Sequence, residues 1–184
     1  QRGIKIIVID SDVNSSQVSC RIGTNNLQAG IKAAEAALAT DDEELYIGIV
    51  NYDVNSANGQ QRELGFRQTV EQDPRVKNIT TINVLSTTED ARAGAKEMLL
   101  SDSRINVVVT FNEWTSLGVG WAIRDLNRAD RIQVVAFDSN VVSVGMLETG
   151  EVDALIVQNP YAMGYLGVET AANLMNGQTG GPSV

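Results

Sequence analysis

Histidine is absent from this chain. Without it no Ser-His-Asp or Cys-His arrangement can form, and the commonest ligand of transition metals is missing. The single cysteine, Cys20, excludes an internal disulfide and a thiolate metal cluster. No apolar run approaches the roughly 18 residues of a membrane-spanning helix. Basic residues number 14 against 23 acidic ones and form no cluster, so nucleic acid and anionic membranes are poor partners for this segment. Phosphate-binding glycine motifs are lacking too. No G-x-G-x-x-G follows a strand and no G-x-x-x-x-G-K-[ST] occurs. "GTNNLQAG" (23–30) has two glycines but no lysine, and Gly30 among Ala29, Ala33 and Ala34 reads as close helix packing. Carboxylate acid–base chemistry is the enzymatic route left open, and nothing in the pattern marks it.

What is present is an alternation. The 184 residues are 43% hydrophobic and 20% charged, with a net charge of −9, an ordinary globular balance. Strand-like runs are "IKIIVID" (4–10), "LYIGIVN" (45–51), "ITTINVL" (79–85), "INVVVTF" (105–111), "IQVVAF" (132–137) and "DALIVQ" (153–158). Helical segments lie between them. Residues 26–39 place Leu27, Ile31, Ala34 and Leu38 on one stripe. Residues 60–73 stop at Pro74, and 89–101 open on a capping-box pattern, Ser86-x-x-Glu89. Residues 115–127 and 161–176 read as helices as well, the last closed by Gly177. Near-continuous Ile/Val strands separated by helices predict an α/β fold: an open parallel sheet with helices on both faces.

Such a sheet binds ligands beyond the carboxyl ends of its strands. Here the strands are followed by Asp10-Ser11-Asp12, Asn51-Tyr52-Asp53, Asn112-Glu113-Trp114, Asp138-Ser139-Asn140 and Gln158-Asn159. Each alone reads as a helix cap or a turn. Together they predict a crevice of fixed acceptors and amide donors, without metal ligands or an activated nucleophile. That suits a neutral polyhydroxylated ligand, whose every hydroxyl both donates and accepts.

Five segments, in order along nearly the whole chain, resemble the sugar-binding periplasmic proteins of the ribose and galactose type. That type 1 periplasmic-binding fold is shared with the cores of lac-repressor-like regulators. "GIKIIVIDSDV" (3–13) is similar to the last strand before the first hinge crossing. "GQQRELGF" (59–66) is similar to the Arg-x-x-Gly-aromatic element, and "FNEWTSLG" (111–118) to the Asn-Asp-x-x-x-Leu-Gly element. "VVAFDSN" (134–140) resembles the strand ending in Asp, and "IVQNPYAMGYLGVETAANLMNG" (156–177) the Gln-x-Pro-x-x-x-Gly return.

The resemblance implies a ligand-binding set. Arg62 places its guanidinium fork on ring and hydroxyl oxygens, Asn112 and Asp138 bond hydroxyls from the same lobe, and Trp114 offers a flat face to sugar C–H groups. Gln158 contacts ligand at the hinge and Asp10 from the other lobe. Plainer readings stand beside these: Arg62 solvated and paired with Glu63 or Asp53, Trp114 packed on the preceding loop, Trp121 in the core. Glu113 departs from the usual Asp and reads as a helix-start acid. Ser11 stands where an arginine often follows the Asp, which bears on the identity of the ligand.

The resemblance further implies a fragment. Residues 25–158 form a complete second lobe. Residues 1–24 are a remnant of the first lobe, with its last strand and the hinge crossing, and 159–184 are a return segment to that lobe. An intact binder closes two lobes on its ligand by a hinge. The implied function is solute binding for an ABC-type transporter, with a small sugar or polyol as ligand and a membrane permease as partner. It involves no catalysis, no cofactor and no metal. The implied location is extracytoplasmic, either periplasmic or extracellular and membrane-anchored. A lac-repressor-like regulator core, an extracytoplasmic sensor and a carboxylate enzyme remain as alternatives. The strand 4–9, read as unpaired, and the helix 161–176 predict self-association of the fragment, by strand exchange or edge pairing.

Overall fold

The strands of the computed structural model are all parallel, and residues 3–178 are described. They fall into two compact units: Asn26–Val157, and the flanking residues 3–25 with 158–178.

The first unit has a five-stranded sheet. Its elements in chain order are α1 (Asn26–Ala37), β1 (Leu45–Tyr52), α2 (Ala57–Val70), β2 (Val76–Val84), α3 (Thr88–Ser101), β3 (Val107–Thr110), α4 (Glu113–Leu126), β4 (Gln133–Phe137), α5 (Val141–Thr149) and β5 (Ala154–Ile156). The strand order is β2-β1-β3-β4-β5. Period-two alternation divides the core between the two faces. Val107, Val109 and Phe111 pack with Ile47, Ile49, Phe66, Val135, Phe137 and the alanines of α1. Val108 points the other way, toward Val50, Leu99, Val119, Ile123, Val134 and Met146. Each fully buried aliphatic side chain contributes about 1.5–3 kcal/mol, so both faces hold their helices firmly.

α1 and α2 approach until their backbones touch. A Cβ on Gly30 would lie 2.0 Å from the Arg62 carbonyl oxygen, and one on Gly65 would lie 2.1 Å from that of Leu27. The close-packing reading of Gly30 is therefore correct, and Gly65 is its counterpart.

In the flanking unit, strand β6 (Ile6–Ile9) pairs in parallel with β7 (Val18–Ile22), and helix α6 (Pro160–Met175) packs on β6. A Cβ on Gly167 would fall 2.3 Å from Ile9 Cδ1. The strand at 4–9 is thus paired along one edge, contrary to the sequence-based expectation. The residues 18–22 that pair with it alternate exposed and buried, and Ser19 and Arg21 conceal the strand in the sequence. Ile4, Ile6, Ile9, Tyr161, Val168 and Met175 remain exposed.

Two further differences are local. α5 was not anticipated, because "VVSVGMLET" is rich in β-branched residues. It forms because Asn140 and Ser143 make a reciprocal capping box and Gly150 closes it at φ 83°. At α3 the cap sits one residue later than the sequence pattern suggests: Thr87 accepts from the Asp90 N–H at 3.2 Å.

Candidate ligand-binding site

Beyond β1 the chain turns to β2 on one side of it, then crosses back to β3 on the other. The carboxyl ends of β1 and β3 therefore flank the topological switch point, where open α/β sheets hold ligands. Three phenylalanine rings floor this edge. Phe66 meets Phe111 edge-to-face at 6.0 Å, and Phe111 meets Phe137 at 5.7 Å.

Arg62 rises from α2 onto this floor. Its guanidinium lies 4.9 Å from the Phe137 ring centre, Nη1 donates to the Phe111 carbonyl at 2.6 Å, and Nε donates to Asn26 Oδ1 at 2.8 Å. Only 2% of the residue is exposed, which excludes the solvated-arginine reading. Glu63, offered as its partner, instead accepts from Arg67 at 2.8 Å and Asn51 at 2.7 Å. Arg62 thereby touches the residues that immediately precede Asn112 and Asp138.

Asn112 caps α4. Its Oδ1 accepts from Thr115 N–H at 3.0 Å and Thr115 Oγ1 at 2.7 Å, while Nδ2 donates to Ser86 Oγ at 2.7 Å. Glu113 opens the helix, as its acidity there favours. Its Oε1 also accepts from Asn140 Nδ2 at 2.6 Å, which clasps the loops after β3 and β4 together. Trp114 is 50% exposed on the first turn of α4, and Trp121 packs partly against the core beneath Arg124. Asp138 is half-buried at φ 66°, with its N–H donating to the Ile156 carbonyl at 2.9 Å. The strand-end amide Asn51 is fully buried; it donates to Gly59 O and Glu63, and its Oδ1 accepts from Tyr52 N–H. Asp53 closes a turn onto Asn55.

The structure brings Arg62, Asn112, Trp114 and Asp138 to one edge of the Asn26–Val157 unit. Asp10 and Gln158 belong to the flanking unit. There Asp10 ends β6 at φ 65°, with its N–H on the Ile22 carbonyl at 2.9 Å, and Gln158 Oε1 accepts from Thr24 Oγ1 at 2.6 Å.

Sequence reasoning passed over Ser116. It is 1% exposed, and its hydroxyl sits 2.6 Å from Thr110 Oγ1, 2.6 Å from the Asn112 carbonyl and 3.0 Å from the Phe137 carbonyl, while accepting from the Phe137 N–H at 3.0 Å. Its signal was a hydroxyl on the same helical stripe as Val119 and Ile123.

Displaced acidities belong to ion pairs on helix surfaces and loops. Arg92 and Lys96 together hold the Asp125 carboxyl down at about 2. Arg75, Arg104 and Arg124 lower the carboxyls of Asp73, Asp102 and Glu151 through hydrogen bonds. Among the described residues no three His, Cys, Asp or Glu side chains converge to hold a metal, and no helix is long and apolar enough to cross a membrane. The edge offers a planar cation, amides and carboxylates on rigid elements. Chemically it can bind hydroxyls.

The chain is similar to known proteins. Residues 1–179 match the periplasmic binding protein domain. A D-ribose/D-allose-binding protein of Pseudomonas aeruginosa is 28% identical over 133 residues, which is 72% of this chain and 41% of that protein. A carbohydrate-transporter solute-binding protein from Agrobacterium radiobacter, solved with D-arabinose, superimposes with a TM-score of 0.95 at 28% identity. It covers all of this chain, which in turn spans 64% of it. The periplasmic component of an ABC-type sugar transport system from Hahella chejuensis gives 0.94 at 30% identity, over 99% of this chain and 67% of that one.

Proposed function

We propose that this chain, a member of the periplasmic binding protein domain family, forms part of a solute-binding protein that takes a small neutral carbohydrate or polyol and delivers it to the permease of an ABC-type transporter. The observation that carries this is Arg62. It is a planar five-donor cation fixed on an aromatic floor between the strand ends that bear Asn112 and Asp138. A rigid fork beside an amide and a carboxylate recognises vicinal hydroxyls and needs no chemistry from the protein.

In this reading Asn26–Val157 is a complete lobe, Gln158 contributes at the hinge, and Asp10 contributes from the part of the chain that belongs to the other lobe. The protein works outside the cytoplasm, in the periplasm or anchored on the outer face of a membrane. The D-ribose, D-allose and D-arabinose named for the relatives make pentoses and hexoses the first candidates. The exposed apolar residues of the flanking unit support self-association of the chain taken alone, which light scattering would detect as a mass above 19.8 kDa.

Thermal-shift screening and calorimetry on the complete protein test the reading. Free pentoses, hexoses or polyols are expected to raise the melting temperature, and their phosphate esters to do so less. A sugar phosphate or nucleotide as best ligand, with no response to free sugars, would overturn it.

A further inference from the structure

The ladder between β3 and β4 stops short of the site. Its pairs are Val107–Gln133, Val108–Val134 and Val109–Val135, and none follows. β4 goes on pairing with β5 as far as Phe137–Ile156. The two strand ends that present Asn112 and Asp138 thus leave their shared ladder just before those residues. Something other than strand pairing must set their separation.

The buried hydroxyl of Ser116 occupies that position. It accepts from the Phe137 N–H at 3.0 Å, and Thr110 Oγ1 at 2.6 Å can fill its second lone pair. Its own proton has two candidate acceptors, the carbonyl of Asn112 at 2.6 Å and that of Phe137 at 3.0 Å. One acceptor-and-donor oxygen therefore ties the main chain at Asn112 to the main chain at Phe137, one residue before Asp138. The hydroxyl has one donor and two acceptor sites, and all three are used. Burial strengthens each bond and makes its loss costly.

We infer that Ser116 is a positioning residue: it replaces the missing ladder rung and fixes the spacing at which Asn112 and Asp138 reach one ligand. The inference rests on the sugar-binding reading for its functional consequence, though not for the positioning itself. Binding groups must be held within about 0.5 Å by supporting contacts, and Ser116 bonds the main chain of Asn112 and of Phe137 directly.

The test compares Ser116→Ala with Thr110→Val in the ¹⁵N-labelled complete protein. Thr110 is equally buried and bonds the same hydroxyl from β3. Without ligand, Ser116→Ala is expected to shift the amide resonances of Asn112, Phe137 and Asp138 together. Thr110→Val should leave those of Phe137 and Asp138 in place. With the best sugar from the screen, Ser116→Ala should weaken binding about tenfold, the scale felt when a support behind a binding group is lost. Thr110→Val should bind as the parent does.

Should alanine prevent folding, Ser116→Cys, which keeps a weak hydrogen-bonding atom there, carries the same readouts. Resonances of Asp138 that stay put in the Ser116 variant would overturn the positioning role, as would equal affinity losses in both variants. A parent that binds no sugar, with the Asp138 resonance nonetheless displaced, would sink the functional reading and leave the positioning intact.

Discussion

Asp10 and Asp138 share one local geometry. Their φ angles are 65° and 66°, and each N–H donates at 2.9 Å to the last residue of a parallel neighbour, Ile22 and Ile156. A left-handed aspartate costs roughly 1–2 kcal/mol relative to ordinary backbone, so both strand ends carry the same strain. Replacing Asp138 by glycine or by alanine removes the same side chain, and only alanine keeps the backbone cost. Asp138→Gly should therefore be more stable than Asp138→Ala by about 1 kcal/mol in urea unfolding, while both lose sugar affinity. Equal stabilities would mean that the turn relaxes when the side chain goes.

Arg62 is a structural residue as well as a candidate contact. Truncation to alanine leaves the Phe111 carbonyl and Asn26 Oδ1 without a donor and uncovers Phe137. The expected loss is about 1–3 kcal/mol of stability at unchanged denaturant slope. Arg62→Lys keeps the charge but not the fork, so it should recover only part of this. Binding in the complete protein should weaken roughly ten- to a hundredfold in the alanine variant. Stability that does not move would show that the buried bonds contribute nothing net.

Asn112 serves both as cap and as candidate contact, and one substitution separates the two. Asn112→Asp keeps the oxygen that accepts from Thr115 N–H and adds charge favoured at a helix start, so stability should stay within about 0.5 kcal/mol. It gives up the amide donor, and sugar affinity should fall. Asn112→Ala should lose about 1 kcal/mol through the cap alone. An aspartate variant with full affinity would leave Asn112 as a cap only.

The glycines make opposite predictions. Gly30→Ala must drive α1 from the Arg62 carbonyl and should cost about 1–3 kcal/mol or more. Gly145, inside α5, has nothing within 4 Å of a built Cβ, so Gly145→Ala should stabilise by about 0.5–1 kcal/mol. Paired melting curves decide both.

The Asp125 pair sets an acid limit. Arg92 and Lys96 on α3 hold this α4 carboxyl at about 2, against an ordinary value of 3.8. A depressed folded-state value stabilises above the ordinary one and is lost as pH falls through the depressed one. The melting-temperature gap between the parent and Asp125→Asn should be full at pH 5 and close between about pH 4 and pH 2. Salt should shrink it, because the pair is exposed. A gap constant down to pH 2 would assign it to packing.

The sheet was legible because its central strands are buried on both faces and read as nearly unbroken Ile/Val runs, "INVVVTF" above all. β7 was not, because only every second residue of "VSCRI" needs to be apolar when one face meets solvent. α5 was hidden by its valines, and its two caps, Asn140 and Gly150, were the readable sign. The candidate site residues were proposed from strand ends and from the Arg-x-x-Gly-aromatic element, and Arg62, Asn112, Trp114 and Asp138 do lie at one edge of the Asn26–Val157 unit. The burial of Arg62 could not. Its partners Asn26 and Phe111 lie 36 and 49 residues away: the α1–α2 glycine contact brings the first to it, and the end of β3 presents the second. Ser116 escaped for a like reason: its main partner, Phe137, is 21 residues distant.

The bond from Thr24 to Gln158 spans 134 positions, yet all the residues between them except Asn25 belong to the other unit. In the chain, α6 is thus separated from the β6 it covers by a whole compact unit. Once Asn26–Val157 has folded, it replaces a long flexible loop with a fixed one, which removes most of the closure entropy that α6 would face in returning to β6. The docking of α6 on β6 therefore gains from the prior folding of the unit between them, and until it happens the Ile-rich β6 is uncovered on that side.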